Sequence, residues 1–478
     1  MLSSVTSWPA SSSLYSPSNS AWMRELSQDQ QGVRLICLLY QCAGEVAAGS
    51  FDRANLCLEH IMQLASLDAP HVLQRLAAVF ADALARKLLN LVPGLSRALL
   101  SSANSADAHV VPVARRHMFD VLPFLKLAYL TTNHAILEAM EGERFVHIVD
   151  FSGPAANPVQ WIALFHAFRG RREGPPHLRI TAVHDSKDFL TNMAAVLSKE
   201  AEAFDIAFQF TAVEAKLDEM DFDTLRHNLG VRSGEVLAIS IVLQLHRLLA
   251  VNDGRRHAGS CLTPLQIIAR SSPRSFGDQL ERELNTRLQL SSDASVLSSL
   301  SPQFPVATAH PTPKLGSFLT AVRALSPKIM VTTEQEANHN GGAFHEQFDE
   351  AFNYYASLFD CLQHSAAAPA ERARVERVLL GEEIRGVVAG EGAERVERHE
   401  PARQWAARME AAGMERVGLS YSGAMEARNL LQSCGWAGPY EVTHDAGGHC
   451  FFFCWHKKPL YAVSAWRPAA SCRRHTRP

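Results

Sequence analysis

The chain has 478 residues, 47% hydrophobic and 20% charged, with a formal net charge of −3 at pH 7, which supplies a sizeable core and excludes both a disordered chain and a globally polyanion-seeking one. Its nine cysteines are scattered without a CxxC pair, which argues against a disulfide framework or a structural zinc site. No apolar run reaches membrane-spanning length and the first residues lack a signal-peptide pattern, so a soluble intracellular protein is expected, as one large α/β domain with an appended helical lobe.

Residues 1–29, rich in Ser and Pro, read as a flexible tail, because they offer too little apolar surface to offset ordering. From Gly32 to about Leu100 the spacing turns helical. Leu58, Ile61, Met62 and Ala65 share one face, and Leu73, Ala77, Phe80, Leu84 and Leu88 share another. Punctuation at Pro70 and Pro93-Gly94 predicts an antiparallel helical lobe whose leucine stripes are mainly core, with part of the surface offered to a partner's helices. Ser101 to His109 reads as a linker, and Val113 to Met140 as helix with a break at Pro123.

An α/β region follows. Phe145 to Phe151, a β-branched and aromatic run, Leu178 to His184, Ile206 to Val213, Glu235 to Leu243 and Lys328 to Thr333 read as strands, and the continuous apolar run Glu235 to Leu243 is of the kind buried on both faces of a parallel sheet. Asn157 and Pro158 fit the N-cap and first position of the helix after strand one, and Ser186 caps the helix after strand two. Asp218 to Leu229 reads as a polar helix, and Ser260 to Ser317 as a variable insertion with one amphipathic piece at Gln279 to Leu290. Phe344, Phe348, Phe352, Tyr355, Phe359 and Leu362 form a packing stripe, and residues 371–411 read as solvated Arg/Glu-rich helices. Tyr440 to Trp466 reads as a hairpin turning at Lys457-Lys458-Pro459.

Five such strands, with Asp150 ending the first and Asp185 just past the second, resemble the Rossmann-like core of S-adenosylmethionine-dependent methyltransferases. Those enzymes bring bare glycine backbone against the ligand. Here the first loop offers Gly153 alone, followed by Pro154-Ala155-Ala156, so the fold is expected to persist while cofactor binding is lost, with a residual S-adenosylmethionine-type ligand-binding protein or methyltransferase as the alternative. Asp150, Gly153, Asp185 and Gln244 mark a vestigial ligand cleft, in which the two aspartates more simply satisfy nearby backbone N–H groups. No catalytic residue, metal ligand or cofactor is expected. His444, His449, Cys450, Cys454 and His456 point to opposite faces of their strands, and Leu245-His246-Arg247-Leu248-Leu249 follows a buried strand and reads as packing despite its LxxLL form. The basic clusters Arg115-Arg116, Arg169-Gly170-Arg171-Arg172, Arg255-Arg256 and Arg473-Arg474 read as solvated surface, with direct DNA contact as a lesser alternative.

Val146-His147-Ile148-Val149-Asp150, followed by Gln160-Trp161 and Leu178-Arg179-Ile180-Thr181, resembles the VHIID block of the plant GRAS family. Ser464-Ala465-Trp466 resembles its SAW block, and Tyr355 to Asp360 its PFYRE region. The resemblance implies a GRAS domain over residues 30–467. Its parts would be a leucine repeat and helical cap at 31–100, a VHIID region at 115–181, a second leucine repeat at 188–230, a PFYRE region at 235–390 with the insertion at 260–317, and a SAW region at 391–467 before a tail at 468–478. Within the family, Gly381 to Ala389 looks closest to the SCARECROW-like three branch. What this implies is a non-enzymatic nuclear regulator of transcription working through other GRAS proteins and indeterminate-domain zinc-finger proteins, as homo- or heterodimer, with DNA reached indirectly and no membrane. Gibberellin responses and root development are the implied setting. Because a DELLA-type sequence is absent, hormone-triggered destruction is not expected. Val149 stands where the family has its second isoleucine, a harmless change in a buried strand.

Overall fold

Continuous burial from Val146 to Asp150 and β-branching in Phe145–Asp150 make it β1, the strand about which a nine-stranded sheet is ordered in this computed structural model. Residues 28–90, 110–250, 312–436 and 438–469 are described, and they fall into two units, one holding residues 28–88 and the other everything after them.

The first unit is helical: α1 (Gln28–Ala47), α2 (Phe51–Leu64) and α3 (Val72–Asn90). The tail read as 1–29 therefore ends inside α1. On α2 the buried face is Ala54, Cys57, Ile61 and Leu64, whereas Met62 is 61% exposed, so the expected stripe is rotated. Small Ala and Cys side chains permit close helix approach, which a count of large apolar residues overlooks. The α3 stripe holds at Ala77, Phe80, Leu84 and Leu88, which are buried, while Leu73 at its start is half-buried. Pro93-Gly94 and the 101–109 linker lie outside the described residues.

The second unit opens with α4 (Val110–Val121) and α5 (Phe124–Ala139), broken at Pro123, the N-cap of α5. Then β1 leads through a short turn to α6 (Pro158–Arg169), followed by β2 (His177–His184), α7 (Lys187–Ala203), β3 (Phe208–Glu214), β4 (Val236–Val242), α8 (Pro313–Leu325) and β5 (Ile329–Gln335). The caps are those expected: Asn157 accepts from Val159 N–H at 3.0 Å and Ser186 from Phe189 N–H at 3.3 Å. Strands β1 to β5 run parallel in the order β3-β2-β1-β4-β5.

Some expectations shift. The polar helix at 218–229 is only a 3-10 turn and one helical turn, Leu225–Asn228. Helix α8 starts at Pro313, inside the stretch read as insertion, and buries Leu315, Phe318, Leu319 and Val322. Residues 251–311, with the amphipathic piece, lie outside the described residues, as do Arg255-Arg256 and Arg473-Arg474.

After α9 (Phe344–Gln363), α10 (Pro369–Arg374) runs through a π-helical stretch, Val375–Leu380, into α11 (Gly381–Val388). These were expected to be solvated; instead Val375, Leu380, Ile384 and Val387 are core. Past α12 (Ala402–Ala411) come β6 (Met414–Val417), α13 (Tyr421–Ser433), β7 (Tyr440–His444), β8 (Cys450–Trp455) and β9 (Lys458–Pro468). Strand β9 runs antiparallel between β5 on one side and β8 and β6 on the other. Its hairpin turns at His456-Lys457, both at positive φ (44° and 68°), the primed geometry that matches strand twist; Lys458 already pairs with Trp455.

Candidate functional site

The VHIVD strand is held from both sides. His147, Cα partner of Arg179 across β1 and β2, lies between two of its side chains: Nε2 is 2.8 Å from Thr181 Oγ1 and Nδ1 is 2.9 Å from Arg179 Nη2. Arg179 in turn donates from Nε to Glu235 Oε1 at 3.0 Å, pairs with the other Glu235 oxygen, and donates to the Gly230 carbonyl at 2.9 Å. Burial, reinforced by the Arg179 charge, pushes the His147 imidazole down to about 3, so it is neutral at pH 7. The buried ends of the two motif strands thus close over one polar network, in which Arg179 and Glu235 are partners that sequence reasoning left unassigned.

At the other end of β1, Asp150 Oδ1 accepts the Ser152 N–H and Oδ2 the Trp161 Nε1–H, both at 2.9 Å. This bond couples β1 to α6, since Trp161 is the buried anchor of that helix. The Gln160 carbonyl accepts from Asn133 at 2.6 Å, tying α6 to α5. Burial raises the Asp150 pKa, and its hydrogen bonds to Ser152 and Trp161 oppose the rise. In β9, Ser464 Oγ lies 3.0 Å from Thr332 Oγ1 and accepts from Trp466 Nε1 at 2.9 Å; Ala465 is fully buried beside β5.

A cavity of about 850 Å3 opens beyond the parallel strands, within the size range of small-molecule sites. Of the four residues expected in the cleft, Gly153, Asp185 and Gln244 line it; Asp150 does not, being engaged behind the loop. Gly153 sits at φ +47°, and a Cβ there would come within 3.2 Å of the Gln244 amide, which folds over it and donates to the Leu243 carbonyl at 2.7 Å. Leu243 itself takes φ 55°, turning the chain sharply as β4 ends. The position that glycine backbone would offer a nucleoside is therefore covered by a side chain.

Around the rest of the wall stand Arg115, Arg247, Gln335, Glu383 and Tyr461. Arg115 was expected on the solvated surface; burial lowers its pKa, and the charges of Glu383 and Asp185 only oppose that. Glu383, half-buried and beside Glu397, is raised to about 7 by desolvation and by the Glu397 charge, and it accepts from Gln335 and Tyr355. The other basic clusters are partly structural. Arg171 stacks on Phe168 with 4.4 Å to the ring centroid and donates to the Met140 carbonyl at 2.8 Å, and Arg169 lies over Phe204. The LxxLL stretch forms the 3-10 turn Leu245–Leu249, with its three leucines in the core. Of the His/Cys group in the hairpin, Cys450 and Cys454 are buried while His444 is exposed.

Strand order, the acid that closes β1 and the antiparallel strands beyond β5 define an α/β protein with the Rossmann-like core of the S-adenosylmethionine methyltransferases, its first loop covered. Residues 35–467 match the model of the GRAS domain family, and the chain belongs to that family, whose members are non-enzymatic transcriptional regulators. It is 43% identical over 459 residues to Scarecrow-like protein 3 of Arabidopsis thaliana, covering 93% of this chain and 91% of that one. It is 40% identical to the GRAS family protein TF80 of Medicago truncatula over 93% of this chain and 98% of the relative, and 31% identical to the DELLA protein GAI1 of Vitis vinifera over 93% and 63%. The crystal structure of SCL7 in Oryza sativa superimposes with a TM-score of 0.66 at 26% identity, covering 91% of this chain and 99% of that one. The chain is thus a GRAS regulator related to Scarecrow-like protein 3 and to the DELLA proteins. Among the described residues no helix is long and apolar enough to cross a membrane.

Proposed function

We propose that this protein regulates transcription in the nucleus through contacts with other GRAS proteins and with zinc-finger transcription factors of the indeterminate-domain type, in gibberellin signalling and root development. DNA is reached mainly through those partners. The observation that carries the reading is the covered first loop: with Asp150 satisfied by Ser152 and Trp161, and Gln244 over Gly153, the cradle that methyl transfer requires is taken up by the protein itself. What is left to act is surface. Similarity to Scarecrow-like protein 3 over 93% of the chain supports the pathway assignment. The purified protein is expected to co-purify with an indeterminate-domain zinc-finger protein or a GRAS partner; a partnerless monomer across a broad interaction screen would overturn this.

One observation favours a second reading, a residual small-molecule binder: the cavity next to the covered loop remains roomy and carries Arg115, Asp185 and Arg247. Calorimetry with S-adenosylmethionine and its demethylated product tests it, and absence of heat at high micromolar ligand ends it.

A further inference from the structure

We propose that His246, Glu397 and His399 form a site for a divalent transition-metal ion of the zinc type. His246 stands in the 3-10 turn after β4, and Glu397 and His399 in the non-helical segment between α11 and α12. That segment is fixed by the N–H groups of His339 and Asn340, which donate to the His399 carbonyl at 2.9 and 3.1 Å. The three ligand atoms lie within 4.8 Å of one another. Two of the separations match the edges of a ligand set: Glu397 Oε2 is 3.2 Å from His246 Nε2 and 3.4 Å from His399 Nε2. A tetrahedral zinc site with bonds of about 2.0–2.1 Å has ligand-to-ligand edges of about 3.3 Å.

The outer contacts are those of a metal site as well. A ligating histidine holds its second nitrogen on a carboxylate or another polar group, which fixes the ring and directs the free nitrogen at the metal. His246 Nδ1 is 2.8 Å from Glu334 Oε2, while Glu334 Oε1 is anchored by the N–H groups of Gln244 and Leu245 at 3.0 and 2.7 Å. His399 Nδ1 is 2.9 Å from His339 Nδ1. That leaves His399 Nε2, in a side chain 1% exposed, with no hydrogen-bond partner although it faces Glu397. A buried ring nitrogen without a partner is costly unless something occupies the space before it. Glu334 and Glu397 supply negative charge for a divalent ion, with Arg247 3.8 Å from the outer Glu397 oxygen as the nearby opposing charge. Two imidazoles and one carboxylate, without thiolate, suit zinc and leave a fourth position for water. Because Gln244 and Arg247 flank His246 and line the cavity, an ion here would stiffen that wall.

The test uses the full chain, stripped with chelator and titrated with Co(II), whose visible bands report coordination geometry, and then with Zn(II) in competition. A single equivalent with tetrahedral-type bands is expected, together with an X-ray absorption spectrum of the zinc form that shows a nitrogen and oxygen shell without sulfur. Glu397→Gln and His399→Asn should each weaken Co(II) binding by more than about a hundredfold, the upper end of what loss of an outer partner costs. His444→Asn, at an exposed hairpin residue, should leave it unchanged. A folded wild-type chain that takes up no cobalt, a sulfur-containing shell, or equal uptake by the two ligand variants would overturn the proposal. The cluster would then be a proton held on His246 between Glu334 and Glu397. If either variant fails to fold, the wild-type absorption shell still decides.

Discussion

Both carboxylate oxygens of Asp150 are engaged by protein donors, so the acid that in a nucleotide-binding fold would serve the ligand here serves the strand and helix on either side of it. Asp150→Asn should therefore act on stability. It turns one acceptor into a donor facing another donor, and equilibrium urea unfolding is expected to show a loss of about 1–3 kcal/mol. His147 gives a second prediction at this scale. Its folded pKa, about 3, lies below its ordinary 6.5, so the unfolded chain binds a proton that the folded chain refuses. Stability from this residue is intact above about pH 6.5 and falls as the pH drops toward 3, with a slope of up to about 1.4 kcal/mol per pH unit. Unfolding free energies measured across that window should show a shallower slope for His147→Asn than for the wild type. Equal slopes would assign the acid sensitivity elsewhere.

The loop after β1 tests the covered cradle as a unit. Gly153→Ala places a Cβ at φ +47° and within 3.2 Å of the Gln244 amide, and should lower stability by about 1–2 kcal/mol in a thermal melt. Adding Gln244→Ala should restore only the contact part, because the backbone cost stays. Elements of this kind were partly legible in the sequence. The five parallel strands announced themselves as short β-branched and apolar runs, although the edge strand β3 alternates in exposure, and Asn157-Pro158 and Ser186 marked the helix starts. What periodicity could not reach was contact made across the chain. Strand β6, at Met414–Val417, is too short for a pattern and exists because Trp466 and Ala465 lie alongside it. Likewise His246, Glu334, Glu397 and His399 come from separate segments, and each alone looked like part of a charged or packing run. The buried face of α2 was misplaced for a related reason, since Ala54 and Cys57 owe their burial to tight packing more than to size.

For the whole molecule, charge is the broadest constraint. A net −3 offers no general attraction to phosphate backbones, and Arg169 and Arg171 are committed to aromatic rings and carbonyls. Heparin chromatography near physiological salt should therefore give no retention; strong, salt-sensitive retention would favour direct DNA contact. Sheet order carries a different consequence. Met330 in β5 lies opposite Trp466 in β9, so the open side of the parallel half finds its neighbour only when a far later stretch arrives. A ribosome must translate through β9 before that apolar edge is covered, and loop closure over such a span is slow. Until then the nascent chain displays an unpaired strand, and its yield in cells should depend on chaperones that shield it.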